Sequence, residues 1–320
     1  MTDSEVLVQQ LIIGLSNGMI IALIALGYTM VYGIVELINF SHGDLFMLGS
    51  FLALTVVGAL GLDQVADPAT SWWALIPLLT IVPLFCAGLN WTADRVAYRK
   101  LREAPRLAPL VSAIGVSFIY LNLGLFWGGL PMGVFNEGAT AAAPKDFPAL
   151  MSYNNLLGEA SNITITPREL LVFFVTIPLL IALTMVIKFT RLGKAMRAVA
   201  QNPLAARLMG IDVDRTIGTA FFIGGGLAGV ASVVYALYNN TIYYQMGFRV
   251  GIDAFTAAVL GGIGNLPGAV LGGIVIGLIR AMSDQYIATE WTNVCVFAVL
   301  ILVLILRPSG LLGASQREKV

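Results

Sequence analysis

Residues 251–283 read GIDAFTAAVLGGIGNLPGAVLGGIVIGLIRAMS. The run is interrupted at its centre by Gly261-Gly262-Ile263-Gly264-Asn265-Leu266-Pro267-Gly268, a dense turn signal. The charges on either side forbid a single crossing, because the C-terminus would then emerge on the wrong side of a membrane. Two short helices, over about 252–262 and 267–282, go in and come back. Each is below or near the length of about 20 residues that a full span takes, so the pair reads as a partly re-entrant hairpin. Irregular backbone at that depth is tolerated only when it is buried in protein or lines a wet cavity.

The rest of the chain has the same character. It is 58% hydrophobic and 11% charged, with mean hydropathy +0.86, where soluble domains run about 45–50% apolar and about 25% charged. Runs free of Asp, Glu, Lys and Arg cover 6–35, 45–62, 68–93, 107–136, 170–187, 216–248, 254–279 and 291–306. The expected fold is an all-α polytopic membrane protein. With the hairpin counted as two, it has about eight or nine transmembrane segments in one domain over 1–320. The N-terminal MTDSE has no positive n-region and no cleavage site follows, so the first run reads as a retained span. Formal net charge is zero, which points away from nucleic acid as a partner. Cys86 and Cys295 lie in apolar runs and suggest neither a disulfide framework nor a metal cluster.

Lys and Arg set the orientation. The loop 94–106 carries Arg95, Arg99, Lys100, Arg102 and Arg106, the segment 188–215 carries six more, and the C-terminus ends with Arg307, Arg317 and Lys319. All three are expected in the cytoplasm. The N-terminal tail lacks Lys and Arg, and 62–71 has only Asp63 and Asp67, so both are expected outside. Residues 131–168, rich in Pro and Asn, form a long external loop, either a small cap with a docking role or a plain connector.

The segment 188–215, KFTRLGKAMRAVAQNPLAARLMGIDVDR, holds a punctuated helix. Asn202 suits the N-cap, Pro203 the first helical position and Gly210 a left-handed exit, giving a helix over roughly Pro203 to Met209. Ala205 and Ala206 allow close approach, and Leu204 and Leu208, four apart, form an apolar stripe. Such an element is either a handle for a cytoplasmic partner or an amphipathic helix lying on lipid headgroups. A second polar concentration, GIVELINFSHGD at 33–44, contains the chain's single histidine. Asn39, Ser41 and His42 there either cap a helix beginning near Asp44 or line a path.

Several chemistries are missing. There is no GxxxxGK[ST] motif, no metal-ligand cluster and no G-x-S-x-G. The apolar runs contain no ionisable side chain of the kind that carries protons through a membrane. A passive pore, or a permease powered from outside the chain, fits that pattern; sodium coupling through carbonyls and hydroxyls also survives it.

INFSHGD (38–44), AFTAAVLGGIGNLPGAVLGG (254–273), RAVAQNPLAARLMGIDVDR (197–215) and RPSGLLG (307–313) together resemble the permeases of bacterial branched-chain amino acid ABC importers, best the LivH-type subunit. The resemblance runs from about residue 10 to residue 313 and is loose over 131–168. It implies half of a translocation pathway for leucine, isoleucine, valine or other neutral amino acids, with urea or short amides as the alternative cargo. It implies a multi-pass protein of the inner membrane, for which the charges above place the N-terminus outside and the C-terminus in the cytoplasm. The implied partners are a second homologous permease, two cytoplasmic ABC ATPases and a periplasmic amino-acid-binding protein. ATP and Mg would sit on the partners, with no cofactor in this chain. Arg197, Asn202, Ala205, Ala206, Gly210 and Ile211 are the expected ATPase-coupling residues. Asn39, Ser41, His42, Gly43, Gly261, Gly262, Gly264 and Pro267 are the pathway or gating candidates. The family usually has Ala where this chain has Ser41, which adds a hydroxyl.

Overall fold

The computed structural model describes residues 2–36, 39–62, 71–102, 104–105, 107–138, 140–158 and 160–313. Asp63, Asp67, Arg106, Arg317, Lys319 and the Ile38 of the INFSHGD motif lie outside the described residues. The helices are α1 (Asp3–Val35), α2 (Ser41–Ala59), α3 (Leu75–Ala93), α4 (Leu107–Gly128), α5 (Pro167–Phe189), α6 (Arg191–Gln201), α7 (Pro203–Leu208), α8 (Val213–Asn239), α9 (Met246–Gly261), α10 (Leu266–Tyr286) and α11 (Thr292–Leu306). Eight helices among the described residues are long and apolar enough to cross a membrane; α9, at 16 residues, is not among them.

The bundle has an inner and an outer set. The most apolar window of α1 is 78% buried and that of α8 72%, whereas those of α4 and α11 are 17% and 11%. Outer helices therefore show Phe118, Phe126, Phe174 and Ile305 to the surroundings. That costs nothing against lipid tails, which are as apolar as the side chains. Association between helices then depends on close packing instead of on the hydrophobic effect. The α1–α10 seam shows how. Gly14 and Gly18 of α1 face Gly273 and Gly277 of α10, and a Cβ on Gly18 would come within 2.7 Å of Ile274 Cα. Small residues four apart on both helices bring the two backbones into contact.

The hairpin exists, with its turn over Gly262–Asn265, but its boundaries differ from the sequence reading. α9 begins at Met246 and α10 runs on to Tyr286, long enough for a crossing. The apolar run 216–248 is correspondingly broken. α8 ends at Asn239, Asn240 adopts a left-handed conformation with φ 53°, and Thr241–Ile242 pairs antiparallel with Lys145–Asp146. In the run 107–136 the α-helix likewise ends at Gly128, and a short 3-10 helix, Gly133–Gly138, follows. Apolarity marks membrane depth, and it does not distinguish helix from the buried turns beside it.

The spans are not free of charge. α2 contains Asp44 and α9 contains Asp253, both buried, and α10 contains Arg280. Each lies just outside an apolar run as read from sequence, and the helices extend to include them. α3 continues through a π-turn, Asp94–Tyr98, which aims Asp94 and Tyr98 into the protein.

Two faces follow from the contacts. At one, Asn162 reaches Glu5, Gln9 reaches Thr164 and Gln10 reaches Gln285. The 131–168 segment covers this face as a packed cap: Phe135, Phe147 and Leu150 are buried. Lys145 Nζ donates to the carbonyls of Thr140 at 2.7 Å and Phe135 at 3.2 Å. Burial lowers the Lys145 pKa below the usual lysine value. The opposite face collects the turn after α3, the α6–α7 element, the hairpin turn and residues 307–313.

Candidate functional site

The α6–α7 element stands on the basic face. Thr190 accepts from Gly193 N and caps α6, and Asn202 Oδ1 accepts from Ala205 N at 3.0 Å and caps α7. α7 ends as its sequence foretells. Gly210 has φ +81°, and the chain closes with Gly210 N donating to Arg207 O and Ile211 N to Ala206 O, both at 3.0 Å. The segment is a helix pair, not a loop with one helix in it. α6 exposes Arg191, Lys194 and Arg197, whereas α7 and its exit expose Leu204, Leu208 and Met209, at 68%, 82% and 81%.

The coupling candidates separate into two kinds. Ala205 and Gly210 are exposed, whereas Ala206 is 4% exposed and packs inward. Arg197 turns back to the carbonyl oxygens of Ile187 and Lys188, tying α6 to the end of α5. Arg197 also lines a cleft of about 400 Å³ with Lys188, Gly264, Asn265 and Pro267. The structure thus brings the hairpin turn beside the helix pair. Behind α7 a second cleft, of about 550 Å³, lies among Asn202, Leu204, Arg207, Arg102 and Glu36.

The hairpin turn is held by the C-terminal segment. Leu311 N donates to Leu260 O at 2.8 Å, Leu312 N to Gly261 O at 3.0 Å, and Asn265 Nδ2 to Leu312 O at 2.6 Å. Gly262, φ +102°, lies against Gly313 and Ser309, and its Cβ position would be 2.4 Å or a little more from that backbone. A side chain at 262 has neither the backbone conformation nor the room.

The polar residues at 39–44 form a different place. The helix beginning there starts at Ser41, and its N-cap, Phe40, makes no side-chain cap. Asn39 and Ser41 are used otherwise. Asn39 Oδ1 accepts from Ser41 Oγ at 2.7 Å and Tyr98 Oη at 3.0 Å, while Asn39 Nδ2 donates to Asn90 Oδ1 at 3.3 Å. Asn90 Nδ2 donates in turn to Phe221 O at 2.7 Å. His42 is buried edge-on against Tyr28, ring centroids 4.7 Å apart. Gly43 packs on the first turns of α9, where its Cβ position would lie 2.9 Å from Gly251 Cα and closer still to Gly247 O. Asp44 accepts a hydrogen bond from Ser117. Two helix starts, α2 and α9, therefore meet inside the protein with a buried carboxylate between them. Gly264 approaches Gly33 instead, so the two sets of gating candidates are separate sites.

Residues 10–304 match the family described as "Branched-chain amino acid transport system / permease component". The chain belongs to this family. The permease is 39% identical to the high-affinity branched-chain amino acid transport system permease protein LivH of Salmonella typhimurium, over 98% of its own length and 97% of that relative's. It is 39% identical, with the same coverage, to the corresponding protein BraD of Pseudomonas aeruginosa. A more distant relative is the autoinducer 2 import system permease protein LsrC of Klebsiella pneumoniae, 28% identical over 67% of the permease and 59% of LsrC. No solved structure matches it.

Sequence reasoning overlooked two charged groupings of the permease. Arg102 joins Asp94 and Asp214, at 2.5 Å each, and Asp214 also meets Arg99 at 2.6 Å. Arg280 meets Asp253 at 2.5 Å. Asp94, Asp214, Asp253 and Arg280 each stand one or two residues beyond the end of an apolar run, whereas nothing in the run pattern singles out Arg99 and Arg102 within their loop. Among the described residues no group of three His, Cys, Asp or Glu is placed to hold a metal ion.

Proposed function

We propose that the permease forms half of the membrane pathway of an ATP-driven importer for branched-chain or other neutral amino acids. The observation that supports this most is identity sustained along nearly the whole chain to permeases named for that cargo. Its partners are a second permease of the same family, two cytoplasmic ABC ATPases that carry ATP and Mg, and a periplasmic amino-acid-binding protein. The permease itself is a single domain without a cofactor.

Orientation rests on charge. Among the described Lys and Arg residues, only Lys145, Arg168, Arg249 and Arg280 lie away from the face that carries α6 and α7. By the positive-inside rule that face is cytoplasmic, the N-terminus is outside and the C-terminus inside. The α6–α7 element is then the handle of the motor. Leu204, Leu208 and Met209 enter the ATPase with Ala205 and Gly210 allowing close approach, while Asn202, Ala206, Ile211 and Arg197 hold the element's shape. Motion reaches the hairpin turn at Gly261, Gly262, Gly264 and Pro267 through the cleft that Arg197 shares with it. Asn39, Ser41, His42 and Gly43 set where α2 and α9 meet beside the path.

The complex reconstituted in liposomes should accumulate leucine only with ATP, both ATPases and the loaded binding protein. Downhill flux of urea or leucine through this chain alone would overturn the reading in favour of a channel.

A further inference from the structure

On the face opposite α6 and α7, a cleft of about 340 Å³ lies between α1, α8, α9 and α10. That is at the lower end of the size of small-molecule sites, about 300–1,000 Å³. The Asp253–Arg280 pair lies in it, 2.5 Å between Oδ1 and Nη2, with side chains only 11% and 13% exposed. Arg249, four residues before Asp253 on α9, and Asp284, four residues after Arg280 on α10, also line it. Positions four apart share a helix face, so each helix presents one cation and one carboxylate to the same space. The α1 wall is mostly apolar, with Ile13, Ile20 and Ile21 beside Asn17.

A clamp between α9 and α10 needs one ion pair, and a buried pair is weak evidence of stabilisation because desolvation offsets the attraction. The arrangement has two cations and two carboxylates around a cleft. Arg280 Nε is buried with no hydrogen-bond partner among the described residues, although Nη2 also donates to Asn293 Oδ1 at 2.9 Å. Asp284 accepts from Thr292 and keeps its second oxygen for another donor. A pure anion or a pure cation leaves one sign of this set unmatched. A small zwitterion matches both and returns the hydrogen bonds its charged groups lose on leaving water.

We propose that this cleft is a transit site for a zwitterionic amino acid entering from the external face. Its carboxylate is held by Arg280 and Arg249, its ammonium by Asp253 and Asp284, and its branched side chain lies on the isoleucines of α1. The assignment rests on the importer reading above for the nature of the cargo, and it adds a site in the permease itself.

Saturation-transfer NMR with L-leucine tests it, using the assembled permease–ATPase complex in nanodiscs without the binding protein. The wild type should give a leucine signal that 4-methylpentanoate and isopentylamine, which each lack one charge, displace at least tenfold less well than valine does. Asp253→Asn and Arg280→Gln should weaken leucine binding at least tenfold. Asn17→Phe, which fills the cleft and leaves the ion pair intact, should do the same while ATPase stimulation by the loaded binding protein persists. If the wild-type complex imports leucine yet binds none here, or Asn17→Phe binds as the wild type does, the site is refuted and the importer reading stands. If the wild-type complex imports no neutral amino acid, the importer reading itself fails.

Discussion

Arg102 and Asp214 lie 112 positions apart in sequence and 2.5 Å apart in space. The contact fastens the turn after α3 to the first turn of α8, the helix that leaves the α6–α7 element. The same guanidinium holds Asp94, whose side chain is 4% exposed. Removing one partner of such a pair costs about 3–5 kcal/mol because a charge is left uncompensated. Arg102→Ala should therefore lower the thermal midpoint of the purified protein markedly. Adding Asp94→Asn should recover part of the loss, since it removes the stranded carboxylate. Equal midpoints for wild type and Arg102→Ala would count against this account.

Leu208 is the most exposed large apolar side chain of α7. If α7 enters an ATPase, Leu208→Glu places an unpaired charge in that contact. Co-purification of the ATPases should fall at least tenfold, which corresponds to about 1.4 kcal/mol, with membrane insertion unchanged. Retained association would move the contact elsewhere.

At Gly210 the obstacle to substitution is purely conformational. No atom lies within 4 Å of where its Cβ would be, and φ is +81°. A β-branched residue there carries strain of about 1–3 kcal/mol. Gly210→Val should abolish or strongly reduce uptake while leaving insertion intact, read by transport in inside-in vesicles against immunoblotted protein.

Gly18 sets the opposite case. A side chain at 18 runs into the α10 backbone at Ile274, 2.7 Å away, where nothing flexible can yield. Overpacking commonly costs about 1–3 kcal/mol and occasionally more. Gly18→Leu should eliminate the monodisperse peak in size-exclusion chromatography, whereas Gly88→Leu, with nothing within 4 Å, should preserve it.

Lys145 ties the 131–168 cap together by two charged hydrogen bonds, each worth about 1.5–3 kcal/mol. Lys145→Met should increase protease cleavage within 131–168 in intact complexes without lowering their yield of helical protein by circular dichroism.

What could be read from the residues was whatever depended on local chemistry. Asn202, Pro203 and Gly210 announce their helix because cap, first turn and exit each demand a particular backbone conformation. The glycine-rich break at 261–268 announces a turn for the same reason. The meeting of Gly43 with Gly251 depends on packing between helices far apart in sequence, and that of Asp253 with Arg280 on how the two arms of the hairpin face each other. Apolar runs also understate the spans, since a helix continues through Asp44 or Arg280 when the bundle supplies their partners. Ala206 shows a further limit: two adjacent alanines look alike in the chain, and only the fold turns one inward.

The strap formed by residues 310–313 imposes an order on synthesis. Asn265 waits for Leu312, 47 residues downstream, before its amide nitrogen is engaged, and the carbonyls of Leu260 and Gly261 wait for the same segment. At about 5–20 residues per second, a ribosome takes roughly 2–10 s to cover that distance. During that interval the nascent hairpin turn sits at the membrane with its acceptors open. A chain released before residue 310 would leave them so permanently, even though its last helix is complete at Leu306.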